Sequence, residues 1–404
     1  DDVYSDDLRE IIHRHATKGI PPLPPPGSAP TVDLLNCSYG ELISMAMGSK
    51  GDPKLSSLQK MLSADMREPA YRAKVIKHVT SAFRTQTMSL AKHPGGNYAL
   101  QYLVEAARLL PVGTPSRAAF VSLLQNLLKT VQDFATHGRG TYLAQRLLAS
   151  CLDLGEAALA THALQGAIGR LAVDPVGNYV VQKLVDAILI HSDSNRKVGP
   201  KQEGWEDLLG SVCEQMAPQG ILLMDACNGV MCIGFVSYLS RARTHPAVAR
   251  SASVFVAKAA EQLAGSKAGN RTLGGILKLG IPDIPKKVIS AVKGKLVKLL
   301  LDEENNSHRV IRHCLGASYR NQPATCAKDV AVPVVCAVMK TAGAVCEQSP
   351  FGMDVLAYAL SLMDEPTAQM YYTPLRSEIG HNVEAVYGAV HQYRSIEAEI
   401  QCLQ

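Results

Sequence analysis

Three tyrosines of this chain stand in near-copies of one string: HPGGNYALQYLVEA (93–106), THGRGTYLAQRLLA (136–149) and DPVGNYVVQKLVDA (174–187). Each copy reads glycine, a small polar residue, tyrosine, two apolar residues, glutamine, any residue, leucine and an apolar residue. Asn178 and Gln182 are four positions apart, so on a helix their amides lie one above the other. Together they can address one planar edge that carries a donor and an acceptor. Tyr179, between them, offers a flat ring that can stack on a nucleobase. Asn97, Tyr98 and Gln101 repeat the arrangement, as do Thr141, Tyr142 and Gln145. Rings presented once per unit, with slots for bases between them, suit unstacked single-stranded RNA, whose base edges are free to be read.

A helix must position these groups. At 100° per residue, Val180, Val181, Leu184 and Val185 share one continuous arc that must be buried. Asn178, Tyr179, Gln182, Lys183 and Asp186 share the other, which is expected to face solvent. Ala99, Leu100, Leu103 and Val104 divide in the same way, and so do Leu143, Ala144, Leu147 and Leu148. A surface tyrosine on one helix carries no functional information; three in the same frame do.

Weaker copies flank the three. They are KLSSLQKML (54–62), GVMCIGFVS (229–237), GNRTLGGIL (269–277), SHRVIRHCL (307–315) and GMDVLAYAL (352–360). Anchored on the glycine or its equivalent, the series runs 54, 96, 140, 177, 229, 269, 307 and 352, with steps of 42, 44, 37, 52, 40, 38 and 45. The long step contains HSDSNRKVGPKQEG (191–204), a polar insertion that reads as a solvated loop. A period near 40 without strand-like alternation marks an all-helical solenoid. Amphipathic stretches at 118–136 and 158–174 supply the remaining helices of each unit. The expected fold is all-α: a right-handed α-solenoid of about eight or more units, curved into a C-shaped superhelix.

Three segments follow along the chain. Residues 1–35 form an N-terminal extension, with one short helix at 6–15 and a proline run at 19–30 that reads as a stiff linker. Residues 36–375 form the repeat array. Residues 376–404 form a C-terminal helical cap, whose polar outer side protects the last apolar face.

Of 404 residues, 47% are apolar and 19% charged, the balance of a folded protein. No run of about 18 apolar residues exists, which excludes a membrane-spanning helix. No basic segment followed by an apolar run opens the sequence, so no secretory signal is expected. Ten cysteines are scattered without a C-x-x-C pair, the usage of a reducing compartment. A surplus of five positive charges is too small to coat duplex DNA, so any contact with nucleic acid is local.

The strings GNYVVQKL and GNYALQYL resemble the RNA-binding helix of Pumilio (Puf) repeats, and the match spans roughly residues 50 to 375. It is specific in the units at 96, 140 and 177 and weak elsewhere. In that family the first and fifth residues after the glycine hydrogen-bond the base edge while the second stacks. The resemblance therefore implies that Asn97 and Gln101 address one base with Tyr98 stacking, Thr141 and Gln145 the next with Tyr142, and Asn178 and Gln182 a third with Tyr179. The pair of Asn with Gln favours uracil in Puf proteins and the RNA runs antiparallel to the chain, which implies a 5′-U-N-U-3′ core. Adenine is the expected middle base.

The later units depart from the pattern. Val230, Met231 and Gly234 hold no amide pair. Asn270 and Arg271 keep a polar residue and a stacker, but Gly274 stands in fifth place. His308, Arg309 and Arg312 form a basic, stacking surface suited to phosphates, and Met353, Asp354 and Ala357 are unsuited to RNA. Such degeneracy resembles the divergent Pumilio-like proteins of ribosome assembly, which act on pre-ribosomal RNA in the nucleolus alongside other assembly proteins. A cytoplasmic regulator of messenger RNA would keep readable triplets in nearly every unit; a protein-binding scaffold that has lost RNA affinity is the other alternative, which the defective triplets at 230 and 353 support for part of the surface. A monomer in the nucleolus or nucleus, with no cofactor and no membrane contact, is the expectation.

Chemistry of other kinds finds no support. GNRTLGG (269–275) lacks the lysine and preceding strand of a phosphate-binding loop. His13 and His15, or Cys227 and Cys232, belong to no four-ligand grouping, and no cysteine has a base partner at periodic spacing. Lys286, Lys287, Lys293, Lys295 and Lys298 spread widely around a helix and read as a solvated face. No enzyme is expected.

Overall fold

The computed structural model describes residues 33–48, 52–63, 68–192, 203–225, 229–321, 325–339, 341–380 and 382–402. The proline run and the short helix expected before it lie outside these residues, as does most of the polar insertion. Among the described residues every regular element is a helix. Each of the eight strings lies at the start of one. We number these helices α1 (Pro53–Ser63), α2 (Pro94–Arg108), α3 (Gly140–Ala149), α4 (Asn178–Leu189), α5 (Val230–Arg241), α6 (Lys267–Lys278), α7 (His308–Asn321) and α8 (Pro350–Ser361). The C-terminal helix α9 covers Asn382–Cys402.

The recurrent residues have local causes. Three positions before the glycine stands a capping residue whose side chain accepts from the glycine N–H, satisfying one of the orphan donors of a helix start. His93 Nδ1 accepts from Gly96 at 3.2 Å, Asp174 Oδ1 from Gly177 at 2.6 Å and Ser266 Oγ from Gly269 at 3.1 Å. The glycine itself is required by close approach. A Cβ at Gly140 would lie 2.4 Å from the Phe134 carbonyl oxygen, the end of the preceding short helix. Gly140→Ala is therefore expected to destabilise the fold by about 1–3 kcal/mol, the usual scale of overpacking, read as a lower denaturant midpoint. An unchanged midpoint would contradict this account.

The stretches 118–136 and 158–174 are not single helices. Each breaks in two, into Ala118–Leu128 with Val131–Phe134 and into Leu154–Leu164 with Ile168–Val173. At the second break Gly166 takes φ +78°, in the left-handed region that favours glycine. Units thus consist of a long helix, a short helix and a string-bearing helix.

The chain divides into two compact units, Asp1–Gln215 and Met216–Gln404. In the first, α1 packs on α2, α2 on α3 and α3 on α4; in the second, α5 packs on α6, α6 on α7, α7 on α8 and α8 on α9. The twelve apolar residues assigned to the inner arcs of α2, α3 and α4 are all buried. The segment expected as a terminal cap, 376–404, holds the last turn of the helix Glu365–Ile379 as well as α9. No single helix among the described residues is long and apolar enough to cross a membrane.

A buried ion pair fastens α2 to α3. Arg117 donates to Glu156 through Nε (2.6 Å) and Nη2 (2.8 Å), and its remaining donors reach the carbonyls of Arg108 (3.0 Å), Leu110 (3.1 Å) and Ser150 (3.1 Å). Those carbonyls end α2 and α3, so one guanidinium closes two helix termini.

Candidate nucleic-acid interface

The rings of Tyr98 and Tyr179 are half-buried and Tyr142 is 39% exposed. They occupy equivalent positions near the N-termini of α2, α4 and α3, helices that pack side by side in one unit. None is enclosed in the core.

The amides differ from the solvent-facing placement expected of them. Asn97, Gln101, Thr141, Gln145, Asn178 and Gln182 are all buried. The reason is a relay repeated three times. The Gln101 amide nitrogen donates to Asn97 Oδ1 (2.5 Å), Gln145 to the Thr141 hydroxyl (3.0 Å) and Gln182 to Asn178 Oδ1 (2.9 Å). The first residue then donates onward to backbone. Asn97 Nδ2 reaches the carbonyls of Ala91 (2.7 Å) and Arg139 (3.0 Å), and the Thr141 hydroxyl reaches that of Val176 (3.4 Å). Asn178 Nδ2 reaches those of Asp174 and Pro175, both at 2.9 Å. Arg139 and Val176 immediately precede the next string helix, so the first residue also ties successive units together.

This network fixes which way the amides face. Carbonyls only accept, so the Asn97 nitrogen must lie between them and its oxygen must face Gln101. Gln101 therefore turns its nitrogen inward and leaves Oε1 as an acceptor, buried and without a hydrogen-bond partner. A buried polar atom left in that state is costly, and a ligand donor placed there would satisfy it.

The residue after each glutamine was open in the repeated string. It lies one turn beyond the ring, on the same face: Tyr102 after Tyr98, Arg146 after Tyr142, Lys183 after Tyr179. Arg146 donates to Glu105 of α2 at 3.0 Å, and Lys183 pairs with Asp186 at 3.0 Å. Burial pushes the Tyr102 phenol above the usual tyrosine range. These three were legible only through their spacing from the tyrosines.

The second unit is different. In α5 the exposed positions are Ile233, Ser240 and the terminal Arg241, with Val236 and Ser237 partly exposed, while Met231 is fully buried. The frame is thus two residues later than the glycine count gives. Cys232, Ile233 and Val236 fill the triplet positions and contain no amide. In α6, Asn270 Nδ2 donates to the Asn305 carbonyl at 2.8 Å and to Ser307 Oγ at 3.3 Å, repeating the tie to the next unit, and Arg271 is exposed.

The basic surface expected on α7 is largely engaged within the protein. His308 is buried and stacks on Phe351, ring centroids 4.3 Å apart and 6° from parallel. Burial, with the Arg309 charge nearby, holds the His308 ring below the ordinary histidine range, so it is neutral at physiological pH. Arg312 pairs with Asp354 and donates to Tyr393 of α9, with its guanidinium 5.0 Å from the Tyr358 ring and 5.3 Å from that of Tyr393. Of the three residues on α7, Arg309 is the exposed one.

A model of the Pumilio-family RNA binding repeat matches residues 86–108 and 168–188, the segments that contain the α2 and α4 strings. No curated protein matches the chain by sequence. Among solved structures, the chain is similar to the RNA-binding domain of yeast Puf5p bound to AAT2 RNA, at 14% identity and a TM-score of 0.54. That match covers 90% of this chain and 99% of the yeast domain. The same domain bound to SMX2 RNA aligns at 14% identity and a TM-score of 0.52, over 90% and 98% of the two chains. The chain thus carries two segments that match the Pumilio-family RNA binding repeat, within an α-solenoid similar in fold to the yeast domain.

Proposed function

We propose that this protein binds single-stranded RNA on the face formed by α2, α3 and α4 and catalyses nothing. The observation that carries this reading is the threefold relay from glutamine to Asn or Thr to a backbone carbonyl, each beside a partly exposed tyrosine. The relay spends one amide proton of each glutamine, and at Gln101 it leaves the carbonyl oxygen for an incoming donor. The second amide proton of Gln101 addresses an acceptor on the same edge. A uracil Watson–Crick edge supplies both, an imino N–H next to a carbonyl oxygen. Gln101 with Asn97 and Gln182 with Asn178 each take a uracil, and Gln145 with Thr141 takes the base between them, for which adenine is the proposed choice. The core is 5′-U-N-U-3′. Arg146 and Lys183, one turn beyond their rings, flank the path of the phosphates.

Filter binding of the purified chain to U-rich oligonucleotides at two salt concentrations tests this. Affinity is expected to fall as salt rises, because phosphate contacts release counterions. Replacing one core uracil by cytosine is expected to cost about 1–3 kcal/mol. No detectable affinity for any RNA would refute the reading.

The cellular task we infer is processing or assembly on ribosomal precursor RNA in the nucleolus. Its support is the asymmetry of the chain. Three triplets are complete, whereas the α5 triplet has no amide and the α7 and α8 residues bind one another. Cross-linking in cells followed by sequencing of the attached RNA should recover pre-ribosomal transcripts. Recovery of messenger RNA 3′ ends instead would overturn this assignment.

A further inference from the structure

Asn270 sits at the first triplet position of α6 and is 7% exposed. Its nitrogen is committed to the Asn305 carbonyl and Ser307, so its orientation is fixed as that of Asn97 is. In α2 and α4 the corresponding oxygen accepts from the fifth-position glutamine. Here the fifth position is Gly274, and Asn270 Oδ1 is buried with no hydrogen-bond partner. By analogy with α2 and α4, this is the oxygen that a fifth-position glutamine would donate to.

A side chain from the next unit borders Gly274. A Cβ at Gly274 would lie 3.5 Å from His313 Cδ2 and 3.7 Å from its Nε2. His313 is exposed on α7, one residue after Arg312. The site therefore holds an acceptor from α6, an imidazole from α7, and the exposed guanidinium of Arg271, a plane on which a base can stack. Gly274 is not a glycine of backbone necessity: its backbone is helical and the Cβ distances are those of ordinary contact. By contrast, a Cβ at Gly275 would lie 2.8 Å from Val236 Cγ1, so that glycine serves the packing of α6 on α5.

We propose that Asn270, Arg271, Gly274 and His313 form a fourth base-recognition position, assembled from two units and selective for a purine. This rests on the RNA-binding reading above and adds to it a base class that the three glutamine triplets do not take in common. Without a glutamine to bridge the gap, the base edge itself must reach Asn270 Oδ1. A purine carries its Watson–Crick edge further from the ribose than a pyrimidine does. Its exocyclic amine or ring N–H donates to Asn270 Oδ1, and the neighbouring ring nitrogen or carbonyl oxygen accepts from His313 Nε2–H.

The test is selection from a randomised single-stranded RNA pool with the full chain and with the Gly274→Gln, Gly274→Ala and His313→Ala variants. Affinities are then measured for the enriched RNA with single-base changes. The wild-type chain should enrich a purine outside the uracil-containing core, and a pyrimidine there should weaken binding roughly tenfold, the scale of one edge contact. Gly274→Gln restores the glutamine relay and should convert that preference to uracil. Gly274→Ala and His313→Ala should flatten it, each leaving the core uracils unchanged. An enriched core with no purine preference, or a purine preference untouched by all three variants, overturns this position alone. Failure to enrich any RNA overturns base reading by the chain, and this position with it.

Discussion

Replacing Tyr142 by alanine is expected to weaken RNA binding by about 1–3 kcal/mol, the loss that follows removal of one stacking ring. That corresponds to roughly a 5- to 150-fold rise in Kd. Tyr142 is the most telling of the three because it stands between Tyr98 and Tyr179, so a base on either side of it depends on its ring. Tyr142→Phe should retain most of the affinity, since the ring and not the hydroxyl makes the contact. Removing all three rings should abolish measurable binding to short oligonucleotides. The tyrosines are partly exposed, so these changes should leave the denaturation curve nearly unmoved. That separates them from any change at the buried amides, where loss of Asn97 would also cut the tie to Arg139. A triple alanine variant that binds RNA like the wild type would refute the interface.

The largest effect on stability is expected at Arg117. Arg117→Ala would leave Glu156, 3% exposed, as a buried carboxylate with only the N–H groups of Leu152 and Asp153 for company. Breaking one partner of a buried pair costs about 3–5 kcal/mol, because the remaining charge stays out of water. Three carbonyls at the ends of α2 and α3 lose their donor at the same time, and Phe120 loses the cation 4.0 Å above its ring. Replacing both partners, as Arg117→Met with Glu156→Met, should cost less than the sum of the two single changes, since neither charge is then stranded. Equilibrium denaturation of the four proteins measures this. A single variant within 1 kcal/mol of wild type would show that the pair does not hold α2 against α3.

Residues that act within one turn of helix were legible in the sequence. The cap at 93, 174 or 266, the glycine three positions later and the apolar arc behind the tyrosine are local requirements repeated in each unit, and periodicity exposes them. The same logic fails where a frame slips. Gly229 starts α5 as expected, yet the face presented to neighbours begins two residues later, at Cys232. Nothing within the helix reports that shift; packing on α6 sets it.

The burial of the glutamines was not legible either. A helical wheel places Asn97 and Gln101 on the polar arc, and it cannot show that the next repeat reaches back to Asn97 through the Arg139 carbonyl. Likewise, Arg312 reads as a free cation until Asp354 and Tyr393, 42 and 81 positions away, are brought to it.

By itself the sequence determined an all-helical repeat array with a tyrosine presented by each of three consecutive units, because 3.6-residue periodicity and a 40-residue period are both written along the chain. The tertiary structure alone decided which polar groups of that face are spent on neighbouring units and which, such as Gln101 Oε1 and Asn270 Oδ1, still lack a partner. Those contacts join residues about one repeat apart, and their existence depends on how closely adjacent helices approach.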